Sequence, residues 1–279
     1  MEFGARIPLQ TSTGSLMRKI FFCFLFLSLC SVSFCQQKFQ LAKPFMQYRS
    51  AFFTDTAMLV LKFQQEGAAI YYTLNGNEPT ENDLLYTKPI VAGDKIVTVK
   101  TKTFGQNFLP SALAAITFIK DGLPVKAVQC TKPDENYAGN GGNTLIDNNG
   151  GFAESSNKNW MGFKTDTVQM VIELKNISAV KQVLLHFLQD ESRWIFLPER
   201  INLYAWDDKK KRYNFLNNDL PFTGTASAGS NNIHRIISTG KKIKTDKLLV
   251  QIITLRKIPE WHEAKGNHAW MFIDELKVY

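Results

Sequence analysis

The chain has 279 residues, 44% of them hydrophobic and only 21% charged, which suits globular domains with real cores and excludes a disordered polyelectrolyte. Its formal net charge of +8 is modest. Four cysteines are too few for a disulfide-built scaffold of this length.

From Met17 the sequence runs MRKIFFCFLFLSLCSVSFCQQ, two cations followed by an apolar run and then small residues. This is the layout of a secretory signal peptide, with Ser33 in place for cleavage after Cys35. The apolar stretch from Ile20 to Leu29 is well short of the roughly twenty residues that span a bilayer. A lipid anchor on Cys35 is the rival reading, but Phe34 stands where a lipoprotein signal wants a small residue. Export would remove residues 1–35, including one acidic and three basic residues, lowering the net charge to +6 and leaving Cys130 as the single thiol.

The remaining texture is β. MLVLKF, AIYYTL, KIVTVKTKTF, VQMVIEL, QVLLHFL, RINLYAW, KLLVQIITL and MFIDELKVY are rich in Val, Ile, Tyr, Phe and Thr, and each is bounded by Gly, Asn, Asp or Pro. The expected fold is all-β, two sandwiches with a seam near Lys120–Val125, so that 36–120 and 121–279 are separate domains. The basic runs DDKKKRY and GKKIKTDK read as solvated turns, in preference to a surface for nucleic acid or anionic glycan.

In the first domain, IYYTLNGNEPTENDLLYTKPI places Asn75-Gly76 in a tight turn with positive φ, and Pro79 stiffens its exit. Tyr71, Tyr72, Gly76, Glu78, Pro79 and Tyr86, continued by Lys100 and Pro110-Ser111, resemble the immunoglobulin-like chitobiase/β-hexosaminidase C-terminal domain. That resemblance implies a sandwich that accompanies glycoside hydrolases as a spacer, its motif residues being turn formers and core aromatics.

In the second domain, Leu145-Ile146-Asp147, Trp160, Gly162-Phe163, Trp194 to Pro198, Trp261-His262 and Ala269-Trp270 are similar to the galactose-binding-like jelly roll of the discoidin, or coagulation factor 5/8 type C, superfamily. The form resembled is the one appended to exported bacterial family 20 glycoside hydrolases. It implies a structural calcium ion held by the Leu145 carbonyl, Asp147, Asn149 and Glu275; strand parity leaves Asp274 or Glu275 to face the loop, and the resemblance selects Glu275. Asn148 departs from the family, standing where it has Gly after the Asp. Oxygen-only donors select calcium over zinc or copper.

The closing WHEAKGNHAWMFIDELKVY crowds two of the four histidines among carboxylates, but His262 and His268 lack the i, i+4 spacing of a zinc hydrolase helix. Trp261 with His262, and Arg193 with Trp194, instead suit a glycan site, because indole faces stack on sugars while charged and polar groups take hydroxyls. The competing role for each tryptophan is as a core or loop anchor, the reading preferred for Trp160, Trp194 and Trp270. No nucleophile elbow, phosphate loop or Cys-His constellation is present, and a hydrolase barrel cannot fit the length. The chain therefore reads as a secreted or periplasmic, non-catalytic, monomeric protein whose partner is a glycan or glycoconjugate and not a nucleic acid, with association at the cell envelope. A protein-docking module without a sugar site is the alternative.

Overall fold

Strands account for nearly all the regular structure in a computed structural model that describes Met1, Gly4 and residues 38–153, 158–227 and 229–279. The predicted signal segment, Met17 to Cys35, lies outside the described residues. Residues 1–39 and 40–279 are separate compact units, and the account below concerns the second. Among the described residues no helix is long and apolar enough to cross a membrane.

The first sandwich uses β1 (Phe45–Gln47), β2 (Phe52–Phe53), β3 (Ala57–Lys62), β4 (Ala68–Thr73), β5 (Leu84–Leu85), β6 (Ile90–Ala92), β7 (Ile96–Gly105) and β8 (Ala114–Lys120). A three-stranded sheet, β1-β3-β6, faces a five-stranded one, β2-β8-β7-β4-β5. Alternation along β3 and β7 turns Leu59, Leu61 and Val99 inward to meet Phe118 and Ile119. Full burial of a ring such as Phe118 contributes about 1.5–3 kcal/mol. Gly76 has φ +84°, and the Asn75 side chain accepts the Asn77 N–H at 3.0 Å, so the tight turn read from Asn75-Gly76 is present. The neighbouring motif residues serve this framework: Lys102 pairs with Glu78 at 2.8 Å, Lys100 donates to the Gly76 carbonyl, and the Tyr86 hydroxyl accepts the Leu61 N–H.

The second sandwich, a jelly roll, uses β9 (Val125–Cys130), β10 (Gly139–Gly142), β11 (Met161–Phe163), β12 (Thr167–Gln189), β13 (Arg200–Asp207), β14 (Arg212–Asp219), β15 (Asn231–Ile253) and β16 (Met271–Val278). Both β12 and β15 run for 23 residues and pair antiparallel from Thr167–Ile253 to Gln189–Asn231, with register shifts after Glu173 and Val180. Bulges of this kind bend a strand, so each serves both layers. One layer is β9-β12-β15-β13-β14; the other joins the far ends of β15 and β12 to β16 and β11. Between them Met170, Ile172, Phe187, Val250 and Ile273 are fully buried. VQMVIEL and QVLLHFL are therefore two arms of one strand rather than two strands.

The change of sheets falls between the end of β8 and the start of β9, yet the two sandwiches are packed against each other. Leu184 of β12 and Tyr279 belong to the first core. Tyr48 stacks on Phe152 at 5.6 Å, and Ala51 donates its N–H to the Gly150 carbonyl.

Candidate functional site

The loop expected to bind a cation begins with the short 3-10 turn Asn143–Ile146. Leu145 is fully buried, and since its side chain has no donor atom it could serve a cation only through its carbonyl. Asn148 has φ +59°, a left-handed backbone that favours Gly and that Asn tolerates. Asp147 accepts the Asn149 N–H at 2.9 Å, while the Asn149 side chain reaches 3.4 Å toward Asn159.

Parity does not choose between Asp274 and Glu275, because every residue of β16 is buried and the register with β12 jumps from His186–Glu275 to Phe187–Ile273. Asp274 sits at this irregularity, 2.6 Å from His186 Nδ1 and 2.8 Å from the Gly151 N–H. Glu275 receives Lys277 Nζ at 3.0 Å on Oε2, and its Oε1 is buried with no hydrogen-bond partner. Lys277, itself 5% exposed, also lies 3.0 Å from Asp121 Oδ1 and 2.5 Å from Asn148 Oδ1, joining both sandwiches.

Burial, opposed by Lys277 and reinforced by Asp274 and Asp147, pushes the Glu275 carboxyl up to about 8. Partial burial is also the main cause that raises Asp147, with Asp274 adding to it against the Asn149 N–H. Of the predicted ligands, Asp147 and Glu275 are thus brought close enough to act on one another. Among the described residues no three His, Cys, Asp or Glu side chains gather as a metal centre. Oxygen-only donors and the unpartnered Glu275 Oε1 suit a hard cation in chemical type, while the Lys277 ammonium on Oε2 already occupies part of that role and would compete with one.

The predicted sugar contacts lie on converging loops. The 3-10 turn Glu191–Arg193 presents Arg193, whose side chain is 56% exposed and 3.6 Å from Asp190 Oδ2. His262 accepts the Ala264 N–H on Nδ1, so its Nε2 carries the proton that goes to the Glu191 carbonyl at 2.9 Å. Both ring nitrogens are therefore committed to holding loops together. Trp261 is 44% exposed, with its indole N–H fixed on the Gly224 carbonyl at 3.0 Å.

Trp194 takes φ +63° and packs on the cluster of Phe196, Ile258 and Ala264. Lys164 lies 5.9 Å over its ring and 5.5 Å over Trp270. Trp160 is fully buried, stacked on His186 at 5.6 Å. His268 is engaged by the Ala269 carbonyl and by Asp166. Sequence reasoning missed Glu191, a buried carboxylate that accepts from Gln189 and the Ser227 N–H while its carbonyl holds His262. A Glu in a polar QDES stretch carries no local sign of that role.

A cleft of about 1170 Å³ lies elsewhere, lined by Tyr48, Arg49, Asp55, Met58, Asp147 and Asn149 among others. It borders the cation loop and not Trp261. The expected sugar contacts Arg193, Trp194, Trp261 and His262 do not line this cleft.

Residues 49–114 match the chitobiase/beta-hexosaminidase C-terminal domain family. No curated protein matches the chain. Among solved structures it is similar to the family 32 carbohydrate-binding module of Streptococcus pneumoniae EndoD, at 13% identity over 56% of this chain and 97% of that one, with a TM-score of 0.38. The family 32 module of C. perfringens NanJ in complex with galactose is similar at 11% identity over 54% and 90%, with a TM-score of 0.35. A Ruminococcus gnavus GH29 fucosidase is similar at 11% identity and a TM-score of 0.33, over 55% of this chain and 24% of the fucosidase, so this chain spans about a quarter of that enzyme. Likenesses this remote say nothing about a ligand.

Proposed function

We propose that the chain is a non-catalytic, exported carbohydrate-binding protein, monomeric and built like the accessory tail of a family 20 glycoside hydrolase, with domains at 36–120 and 121–279. The observation that carries this reading is the half-exposed Trp261 indole, pinned by Gly224 beside the loop that presents Arg193. A fixed aromatic face with a neighbouring cation is suited to stacking on a sugar ring and holding its hydroxyls. Trp194 and His262 serve as struts beneath that surface. The match of residues 49–114 to a domain of chitobiases and β-hexosaminidases supports a glycan context. Leu145, Asp147, Asn149 and Glu275 would hold a calcium ion, supplying charge balance that staples the loop without disulfides.

Glycan-array binding tests this, with Trp261→Ala and Arg193→Ala each weakening the positive signals by about tenfold or more. Silence across a broad array, or binding indifferent to both substitutions on folded protein, would sink it. The docking alternative draws on Phe45, Met58 and Val91, each more than half exposed on the β1-β3-β6 sheet. An array without hits, joined to a stable complex through that face, would favour it.

A further inference from the structure

The outer face of the β9-β12-β15-β13-β14 layer carries an organised surface separate from the loops around Trp261. Ile201, Leu203 and Ala205 of β13 point into the core, so Asn202, Tyr204 and Trp206 point out. On β14 their partners are Phe215 opposite Tyr204 and Tyr213 opposite Trp206. The four rings form two edge-to-face pairs, Tyr204–Phe215 at 5.5 Å and Trp206–Tyr213 at 5.1 Å, and Phe215 is 57% exposed.

Pairing extends this strip across the sheet. Tyr204 is registered with Leu249 and Leu249 with Val171, a half-exposed apolar row. Beside it runs a polar row in which Asn202 pairs with Gln251 and Gln251 with Gln169. Gln251 Oε1 accepts Asn202 Nδ2 at 3.1 Å and the Tyr204 hydroxyl at 3.5 Å, which fixes the amides in line. From β14 to β12 is three inter-strand spacings, about 14 Å, room for several sugar rings in a row.

Charge marks one end of the strip. Thr245 Oγ1 reaches the Trp206 carbonyl, which brings the bend of β15 beside the β13–β14 hairpin and so unites two basic runs that are distant in sequence. Lys209, Arg212, Lys241, Lys242 and Lys244 are exposed there, and none makes an ion pair among the described residues. Asp207 and Asp208 pair with Lys210 and Lys211 in the same hairpin, which leaves an excess of exposed positive charge that a polyanion lying along the aromatic strip would meet.

We infer that the outer face of β13 and β14 is a second binding surface, whose aromatic strip stacks an extended acidic polysaccharide while the lysines at its end take the carboxylates. The occupant is a uronate-type chain because aromatic faces and in-line amides suit sugar rings, while the cluster of exposed cations attracts negative charge. This surface shares no residue with the Trp261 site, so each stands or falls alone.

Affinity electrophoresis of the full chain through gels containing polygalacturonate, with a neutral galactomannan as control, tests the inference. Retardation is expected in polygalacturonate, weakened about tenfold by Tyr204→Ala with Phe215→Ala and by Lys241→Glu with Lys242→Glu, and by added salt in the wild type. Phe215→Ala alone, at an exposed position, separates binding from folding. Absence of retardation overturns the inference. So does loss in Trp261→Ala with none in the strip variants, or equal binding to anionic vesicles or DNA that ignores the aromatic substitutions.

Discussion

Lys277 places an ammonium where the second sandwich meets the first, over the Phe52 ring and against Glu275, Asp121 and Asn148. It offsets part of the acidity gathered there, but Glu275 Oε1 still lacks a partner. A bound calcium would complete the balance. At calcium a hundredfold above its Kd the added stability is about 2.7 kcal/mol, roughly 5–10 °C in Tm for a domain of this size. Chelation with EDTA should therefore lower the melting temperature and calcium restore it, with Glu275→Gln blind to both; identical melts throughout would remove calcium from this account. A second residue sets a pH response. His234, opposite His186 in the register and next to Arg235, has its pKa lowered first by burial and then by those two neighbours. The unfolded chain takes up a proton below its ordinary value of 6.5 before the folded one does, so this contribution to stability is full above 6.5 and is lost as pH falls from there. Over pH 7.5 to 5 this loss runs against the raised Glu275 carboxyl, which favours the folded state as pH falls, so the test is the difference between variants: His234→Gln should gain stability relative to the wild type as pH falls, and parallel denaturation midpoints would exclude His234 as a contributor.

At the scale of elements, the loop that ends at Gly150 and Gly151 depends on close approach to its neighbours. Gly151 has φ +85°, and a Cβ there would lie 2.2 Å from the Ala51 Cβ. Gly150, next to it, would drive a Cβ to 2.3 Å from Asp274 Oδ2. Overpacking of this kind costs about 1–3 kcal/mol, and left-handed backbone strain adds to it. Gly151→Ala should accordingly lower stability in urea titration by at least that range, whereas Gly224→Ala, which meets nothing within 4 Å, should show only the backbone penalty at φ +79°. Equal losses in both variants would mean that the contact with Ala51 carries no weight. The sequence could be read for the Asn75-Gly76 turn because a turn is local. It could not be read for Gly151, whose constraint comes from a residue one hundred positions away.

Across residues 40–279, the interface between the sandwiches mixes core and polar contacts. Leu184 is fully buried in the first core, Tyr279 donates its hydroxyl to the Lys120 carbonyl at 2.6 Å under the Lys95 ammonium, and Tyr48 stacks on Phe152. Separation would expose these apolar faces and strand the Lys277 cluster. One calorimetric transition is expected, with calorimetric and van't Hoff enthalpies equal. Two resolved transitions would show the halves to be energetically independent.

The sequence by itself determined the all-β class, the alternating strands, the tight turn at Asn75-Gly76 and the placement of Trp160 in the core, because each follows from local periodicity, turn chemistry or side-chain size. The resemblance also named Asp147 and Glu275 together, and the structure brings these two carboxyls close enough to act on one another. Only the tertiary structure decided that two apparent strands are arms of one bent β12, that His262 spends both nitrogens on its own loops, and that two distant lysine runs share an edge with an aromatic strip. Those outcomes depend on register, bulges and long-range pairing, which are fixed by how the whole chain packs and not by any window of neighbouring residues.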